Sequence, residues 1–361
     1  MPSLRRVARK PATAFAALLG QRGDAPTDAQ PVPLATGRAA FEIGLRALGV
    51  TSGAQVLLPS YICDVMLLPL KRMGLSPLFY DLDDSLAPDW VSLEAMLPSA
   101  AAAVLFHPFG QPQDSARFGE LCLRHHAIFI EDNAHGWGAE TGNKPLGTLG
   151  DMGFVSPWKQ YAVPHGAFLY LKDAAAAQKA LQLGEGLPVQ QISYGAPLAK
   201  ALVRNFLTLF PQARLRLMPP AYLPEAAESD PAPPQRMSPA VMRYLARQQA
   251  TDDAARRRAL YQIWEVWTRA AGLLPVFPLI HSAAAPLCFP AYAVAGNSRE
   301  QWLEWGWRHD IAIHTWPTLP EQLRLMPPIQ DRWNRLLCFP IHHEIEPQAL
   351  RRMLYSLNPP G

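Results

Sequence analysis

Thiols are scarce in this chain of 361 residues, and the four present (Cys63, Cys122, Cys288, Cys338) lie far apart with no C-x-x-C pair. Metal cages and disulfide frameworks need closer or more numerous thiols, so no metal, reduced cysteines and a cytoplasmic setting are expected. Charge is sparse too. Only 17% of residues are charged, the formal net charge is +3, and no Lys/Arg block occurs, so nucleic acid is not an expected partner. No run reaches the ~18 uninterrupted apolar residues of a membrane span, which argues against a membrane partner. The basic-then-apolar start is interrupted by Lys10, Pro11 and Thr13 and lacks a clean cleavage site. It reads as a short amphipathic helix on the protein body, not a signal peptide. No G-x-G-x-x-G follows a first strand and no P-loop exists, so a nucleotide-binding oxidoreductase fits poorly.

What is abundant is apolar residues, 49% of the chain, and proline, 37 residues. The proline is densest between Pro211 and Pro239, which reads as an irregular connection between domains. The expected organisation is an N-terminal extension (1–30), a large domain (31–215), a proline-rich connection (216–245) and a small C-terminal domain (246–361).

Short apolar runs separated by helical patterns mark a mostly parallel sheet in an α/β domain. Gln55–Pro59, Leu78–Asp81, Val104–His107 and Ile128–Asp132 read as its buried strands. Ligands gather at the carboxyl ends of such strands, where His107 and Asp132 stand. Beyond the connection, Thr251 or Asp252 suits the N-cap of a helix running to about Ala271. Phe277 onward, Cys288–Pro290 and Leu337–Ile341 read as strands of a small α+β domain, closed by a helix from Pro347 to about Leu357.

Three candidates in the α/β half meet the needs of a pyridoxal 5′-phosphate (PLP) site: an imine-forming lysine, an acid for the pyridine nitrogen and an anchor for the phosphate. Lys159 follows an apolar stretch, and Trp158 and Tyr161 would desolvate its amine, which favours the neutral nucleophile. A lysine snorkelling from a strand edge is the plain alternative. Asp132 ends a buried strand, whereas strand alternation sends Glu131 to the opposite side. Asp132 would equally serve as a helix cap. His135 would reach a ring oxygen, or be a satisfied core histidine. Thr36-Gly37-Arg38-Ala39 opens a helix to Leu48, where backbone N–H groups and the helix dipole favour an anion; Arg38 and the Ser156 hydroxyl would add contacts. A plain N-cap is the competing reading.

Together these pieces resemble the DegT-type aminotransferases. The resemblance lies in Thr36-Gly-Arg-Ala-Ala-Phe41, Leu57-Leu-Pro-Ser60, Phe106-His-Pro-Phe-Gly-Gln-Pro112, Ile130-Glu-Asp-Asn-Ala-His135, Gly147-Thr-Leu-Gly-Asp-Met-Gly153 and Leu337-Cys-Phe-Pro-Ile-His342, in the family's order. It covers about Ala35 to Leu171 well and the C-terminal third loosely. The resemblance implies PLP fold type I, with Lys159 as Schiff-base lysine, Asp132 as pyridinium partner, and Gly37, Arg38, Ala39 and Ser156 around the phosphate. It also implies a homodimer. The departures mark a divergent branch: His135 stands for the family's Gln, Arg38 for its Thr, and Cys63 for the aromatic that stacks on the ring, with Tyr61 as a substitute.

The expected function is a PLP-dependent aminotransferase taking an amino donor and a carbonyl acceptor. His107, His165, His314 and Trp316 are the substrate-side candidates, with His342 and His343 near the cleft or at the surface. Another PLP reaction (elimination, decarboxylation or replacement) and a non-catalytic ligand-binding descendant stay open.

Overall fold

The computed structural model describes residues 7–9, 11, 18, 31–193, 232–248, 250–294 and 298–360. The large domain holds β1 (Val32–Leu34), α1 (Gly37–Ala47), β2 (Gln55–Pro59), α2 (Leu67–Met73), β3 (Ser76–Tyr80), α3 (Trp90–Met96) and β4 (Ala102–Phe106). It continues with α4 (Ser115–Arg124), β5 (Ile128–Asn133), a tight hairpin β6–β7 (Glu140–Thr141, Lys144–Pro145), β8 (Met152–Val155), β9 (Ala167–Leu171) and α5 (Ala174–Glu185). Each helix start is written locally. Thr36, Asp89, Asp114 and Asp173 accept a first-turn N–H from α1, α3, α4 and α5 respectively. Gly74 ends α2 in the left-handed region, φ 65°, where a Cβ is costly.

Seven strands form one sheet in the order β1-β9-β8-β5-β4-β2-β3. The β3–β2, β2–β4, β4–β5 and β5–β8 pairs are parallel, and β9 runs antiparallel to both neighbours. The mostly parallel sheet expected from the apolar runs is therefore present. Val56, Leu58, Val104, Ile130 and Phe154 bury against α1 on one face. Leu57, Ala103, Leu105 and Phe129 pack with Leu93, Phe118 and Leu121 of α3 and α4 on the other. The parallel register sets Phe106 beside Asp132 and Asp132 beside Phe154, so the carboxyl ends of β4, β5 and β8 converge at one edge.

The C-terminal part holds α6 (Pro239–Leu245), α7 (Ala250–Ala270), β10 (Leu274–Pro275), β11 (Cys288–Tyr292), α8 (Arg299–Arg308), α9 (Glu321–Arg324), α10 (Pro327–Arg335), β12 (Leu336–Pro340) and α11 (Pro347–Tyr355). An antiparallel β10-β11-β12 sheet packs its Phe289 and Phe339 on Trp264 and Trp302. Three expectations need correction. Thr251 and Asp252 lie inside α7, not at its cap. Phe277 lies in a bend after β10 and makes no strand, its ring filling the core beside Phe109 instead. The connection is not irregular to its end, because α6 docks Val241 and Leu245 against Tyr161 and Val163. Its residues 216–231, and most of the expected N-terminal helix, lie outside the described residues. Among the described residues no helix is long and apolar enough to cross a membrane.

Candidate active site

Lys159 closes a 3-10 turn, Pro157–Lys159, directly after β8, with its N–H donating to the Ser156 carbonyl at 3.0 Å. The residue is half-buried, and burial lowers its ammonium pKa from the ordinary lysine value. The Asp132 charge opposes that shift, with the nearby Cys63 acting in the same direction, and the Arg9 cation adds to it. Asp132 is 3% exposed, and its Oδ1 accepts the Ala134 N–H at 2.9 Å. Burial raises its pKa, against the lowering effects of Lys159, this hydrogen bond and His107. Lys159 and Asp132 thus feel one another's charge, yet no ion pair closes between them among the described residues.

The residues between and around this pair were tested for fit to PLP. Ser156 is 1% exposed and its Oγ has no hydrogen-bond partner. A Cβ added to Gly37 would lie 2.7 Å from that oxygen, so the hydroxyl faces the bare first residue of α1. An orphaned hydroxyl at a helix N-terminus is a ready anion site. Gly37 and Ser156 are therefore brought together as expected. Ala39 is not free to join them, because its N–H is held by Thr36 Oγ1 at 3.2 Å. Arg38 lines, with Thr36, Ala39, Arg72 and Gln190, a shallow cleft at the start of α1.

His135 is 2% exposed, and its Nδ1 accepts the Phe109 N–H at 3.2 Å. Burial, Lys159 and Arg9 together lower its pKa well below the usual value. The ring is neutral with the proton on Nε2, a donor suited to a phenolic oxygen. Phe106 and Trp316 meet it edge-on at 5.0 and 5.3 Å, and Phe109 lies at 5.7 Å. Trp316 also carries the Lys159 Nζ at 4.9 Å from its ring centre. Its carbonyl accepts the Tyr61 O–H at 3.0 Å. Tyr61 is 2% exposed within the small-domain core, so it holds Trp316 in place and presents no face for stacking. Cys63 is half-buried beside Lys159; burial pushes its thiol up to about 11, so it stays protonated.

Two substrate-side candidates are corrected. His107 is wholly buried, its Nε2 on Glu131 at 2.9 Å and its Nδ1 accepting from Gln113 N–H at 3.0 Å. Both nitrogens are committed inside the fold. His165 Nε2 meets the Ser238 N–H and Oγ at 3.2 and 3.1 Å, at the start of α6, so that nitrogen is committed within the fold. His314 stands two residues before Trp316, its Nδ1 3.2 Å from the Ala312 carbonyl, and burial and Arg9 lower its pKa. His342 is buried with neither ring nitrogen in a well-formed hydrogen bond, and His343 stacks on Tyr161 at 5.4 Å. Trp158 and Tyr161 pack with α6, so Trp316 is the aromatic at the amine. Arg9 was not legible from the sequence: it lies outside every motif, and long-range packing brings it to Trp316 at 5.2 Å.

Residues 24–190 match the model of the DegT/DnrJ/EryC1/StrS aminotransferase family. The match takes in a little under half of the chain. An L-glutamine:2-deoxy-scyllo-inosose aminotransferase of Streptomyces kanamyceticus is 33% identical over 127 residues, 35% of this chain and 30% of that protein. A GDP-perosamine synthase of Escherichia coli O157:H7 is 27% identical over 163 residues, 44% of this chain and 45% of that one. The chain thus spans less than half the length of either relative. Spr1654 of Streptococcus pneumoniae, solved in a PLP form, superposes with a TM-score of 0.70, covering 98% of this chain and 97% of its own at 13% identity. The fold is that of the type I PLP enzymes.

Proposed function

We propose that this chain is a PLP-dependent aminotransferase that moves an amino group from an amino-acid donor to a keto or aldehyde acceptor of the sugar or cyclitol kind. The relatives' activities support the acceptor class. The observation that carries the reading is a buried Asp132 and a Lys159 that feel one another's charge without an ion pair among the described residues, in a chain where the orphaned Ser156 hydroxyl faces the start of α1.

When bound, PLP supplies an aldehyde for amine condensation and a protonated ring that stabilises negative charge on the reacting carbon. Asp132 keeps the ring nitrogen protonated, its carboxylate regaining in that contact the counter-charge that burial otherwise denies it. Ser156 Oγ and the N-terminal backbone of α1 hold the phosphate. His135 Nε2–H donates to the ring oxygen. Lys159, with its ammonium destabilised by burial, is biased toward the free amine that both takes a proton from and returns one to the substrate carbon. Trp316 excludes water on one side of that amine.

Absorption spectra of the purified protein with PLP, then borohydride reduction and peptide mapping, test this. A visible band, an adduct on Lys159 and conversion to the amine form of the cofactor by an amino donor alone are expected. An adduct elsewhere displaces Lys159, and a band that no common donor discharges points to another PLP reaction. A cytoplasmic homodimer belongs to the same proposal; a monomer in light scattering at micromolar concentration contradicts the dimer.

A further inference from the structure

Four observations converge on Arg9. Val7 is wholly buried in the small-domain core; its N–H donates to Asp310 O at 2.9 Å and its carbonyl accepts from Ala312 N–H at 2.8 Å. The N-terminal segment is thereby laced to the strand-like stretch that leads to Trp316, and Arg9 follows two residues later, exposed. Its guanidinium carbon lies 5.2 Å from the Trp316 ring centre, and the Lys159 amine lies 4.9 Å from the same centre. Two cations share one indole, and no carboxylate pairs with Arg9 among the described residues.

Like charges crowded on one ring favour an anion between or beside them. The Arg9 charge already presses on Lys159, His135 and His314, lowering the pKa of each. A bound carboxylate relieves that pressure. Other arginines serve less well. Arg257 is 1% exposed with Nε and Nη1 unpartnered, too sealed for an exchanging ligand, and Arg38 and Arg72 line the shallow cleft at the start of α1.

We propose that Arg9, held in place by the Val7 backbone pairing, binds the carboxylate of the amino donor. This rests on the aminotransferase reading above. The geometry suits an α-amino acid in particular. Its carboxylate is attached to the carbon that bears the reacting amine, so the recognising cation must act within range of the Lys159 amine, as Arg9 does through its charge and the shared Trp316 ring. An arginine fork also matches a carboxylate with two parallel hydrogen bonds, which a lysine cannot reproduce.

The test compares alanine with isopropylamine, which replaces the carboxylate by a methyl group, as donors to full-length protein loaded with PLP. For R9Q, the half-saturating concentration of alanine should rise about 10- to 100-fold, as for loss of a charge-assisted contact, and isopropylamine should be unchanged. R9K should fall between. Propionate, which cannot donate an amine, should bind more weakly to R9Q by a similar factor in a tryptophan-fluorescence titration. Equal behaviour of wild type and R9Q toward alanine and propionate overturns the proposal. So does an equal loss with both amines, which marks a structural role, or a loss confined to the acceptor half-reaction. Protein that never takes up PLP instead removes the functional reading; protein that takes it up and ignores R9Q removes this inference alone.

Discussion

The Lys159 amine sits 4.9 Å from the centre of the Trp316 indole, so the turn after β8 and a residue from the C-terminal part of the chain meet at the candidate site. An ammonium over an indole is stabilised by about 0.5–2 kcal/mol, which supports the charged form against the burial that lowers its pKa. Replacing Trp316 by Phe weakens that support and keeps an aromatic filler. The pKa of Lys159 should fall further, by about one unit or less, read as an acid shift in the pH dependence of amine modification in protein without PLP. An unchanged midpoint means the ring does not carry the charge of Lys159.

How much of this was legible beforehand follows from what is local. The strands at Gln55–Pro59 and Ile128–Asn133, the Thr36 cap and the pairing of Lys159 with Asp132 rest on short-range patterns: apolar runs, capping residues, strand ends. The role of Trp316 depends on how the small domain docks, and only the Tyr61 hydroxyl, 255 positions away, fixes its carbonyl. His107 misled because a histidine at a strand end reads alike whether it faces a ligand or a buried glutamate. Thr251 misled because a good capping residue is tolerated inside a helix when packing extends the helix past it. Arg9 was invisible, since nothing around a single arginine in a basic N-terminus says where its segment docks.

Gly37 and Ser156 make a paired prediction. G37A places a methyl 2.7 Å from Ser156 Oγ and should cost roughly 1–3 kcal/mol by overpacking. S156A removes an unpartnered buried hydroxyl, so it should leave the melting temperature of protein without PLP unchanged or raised while weakening PLP binding about tenfold. The double variant should recover the stability lost in G37A and keep the weak binding. Recovery of both would place the phosphate elsewhere.

His107 and Glu131 predict a loss of stability without a substrate effect. Both side chains are fully buried, and Glu131 also accepts from Ser115 Oγ at 3.3 Å and Leu149 N–H at 2.8 Å. Removing one partner leaves the other uncompensated, so H107A should lose about 3–5 kcal/mol in denaturant unfolding. The half-saturating donor concentration of whatever folds should match wild type. A large shift in that concentration with intact stability would return His107 to the substrate side.

Histidines set the acid limit. Burial lowers His165 and His342 to about 4 and lowers His135 well below its usual value. For each, the unfolded chain binds a proton near pH 6.5 while the folded protein refuses it until the lower value is reached. The unfolded state therefore holds more protons within that window, and stability falls as pH drops through it. The raised pKa of Asp132 works the other way, favouring the folded state as acid is added, but it is a single group. Protein without PLP should thus lose stability steadily from pH 6.5 to 4, with His342 contributing roughly 2–3 kcal/mol. Neither ring nitrogen of His342 has a well-formed partner, the Ala8 backbone making only a marginal contact, so H342L removes little hydrogen bonding while deleting the titration. Its melting temperature at pH 7.5 should equal or exceed that of wild type, and its fall by pH 4.5 should be shallower. Parallel curves for the two proteins would mean that position 342 is not where the proton is refused.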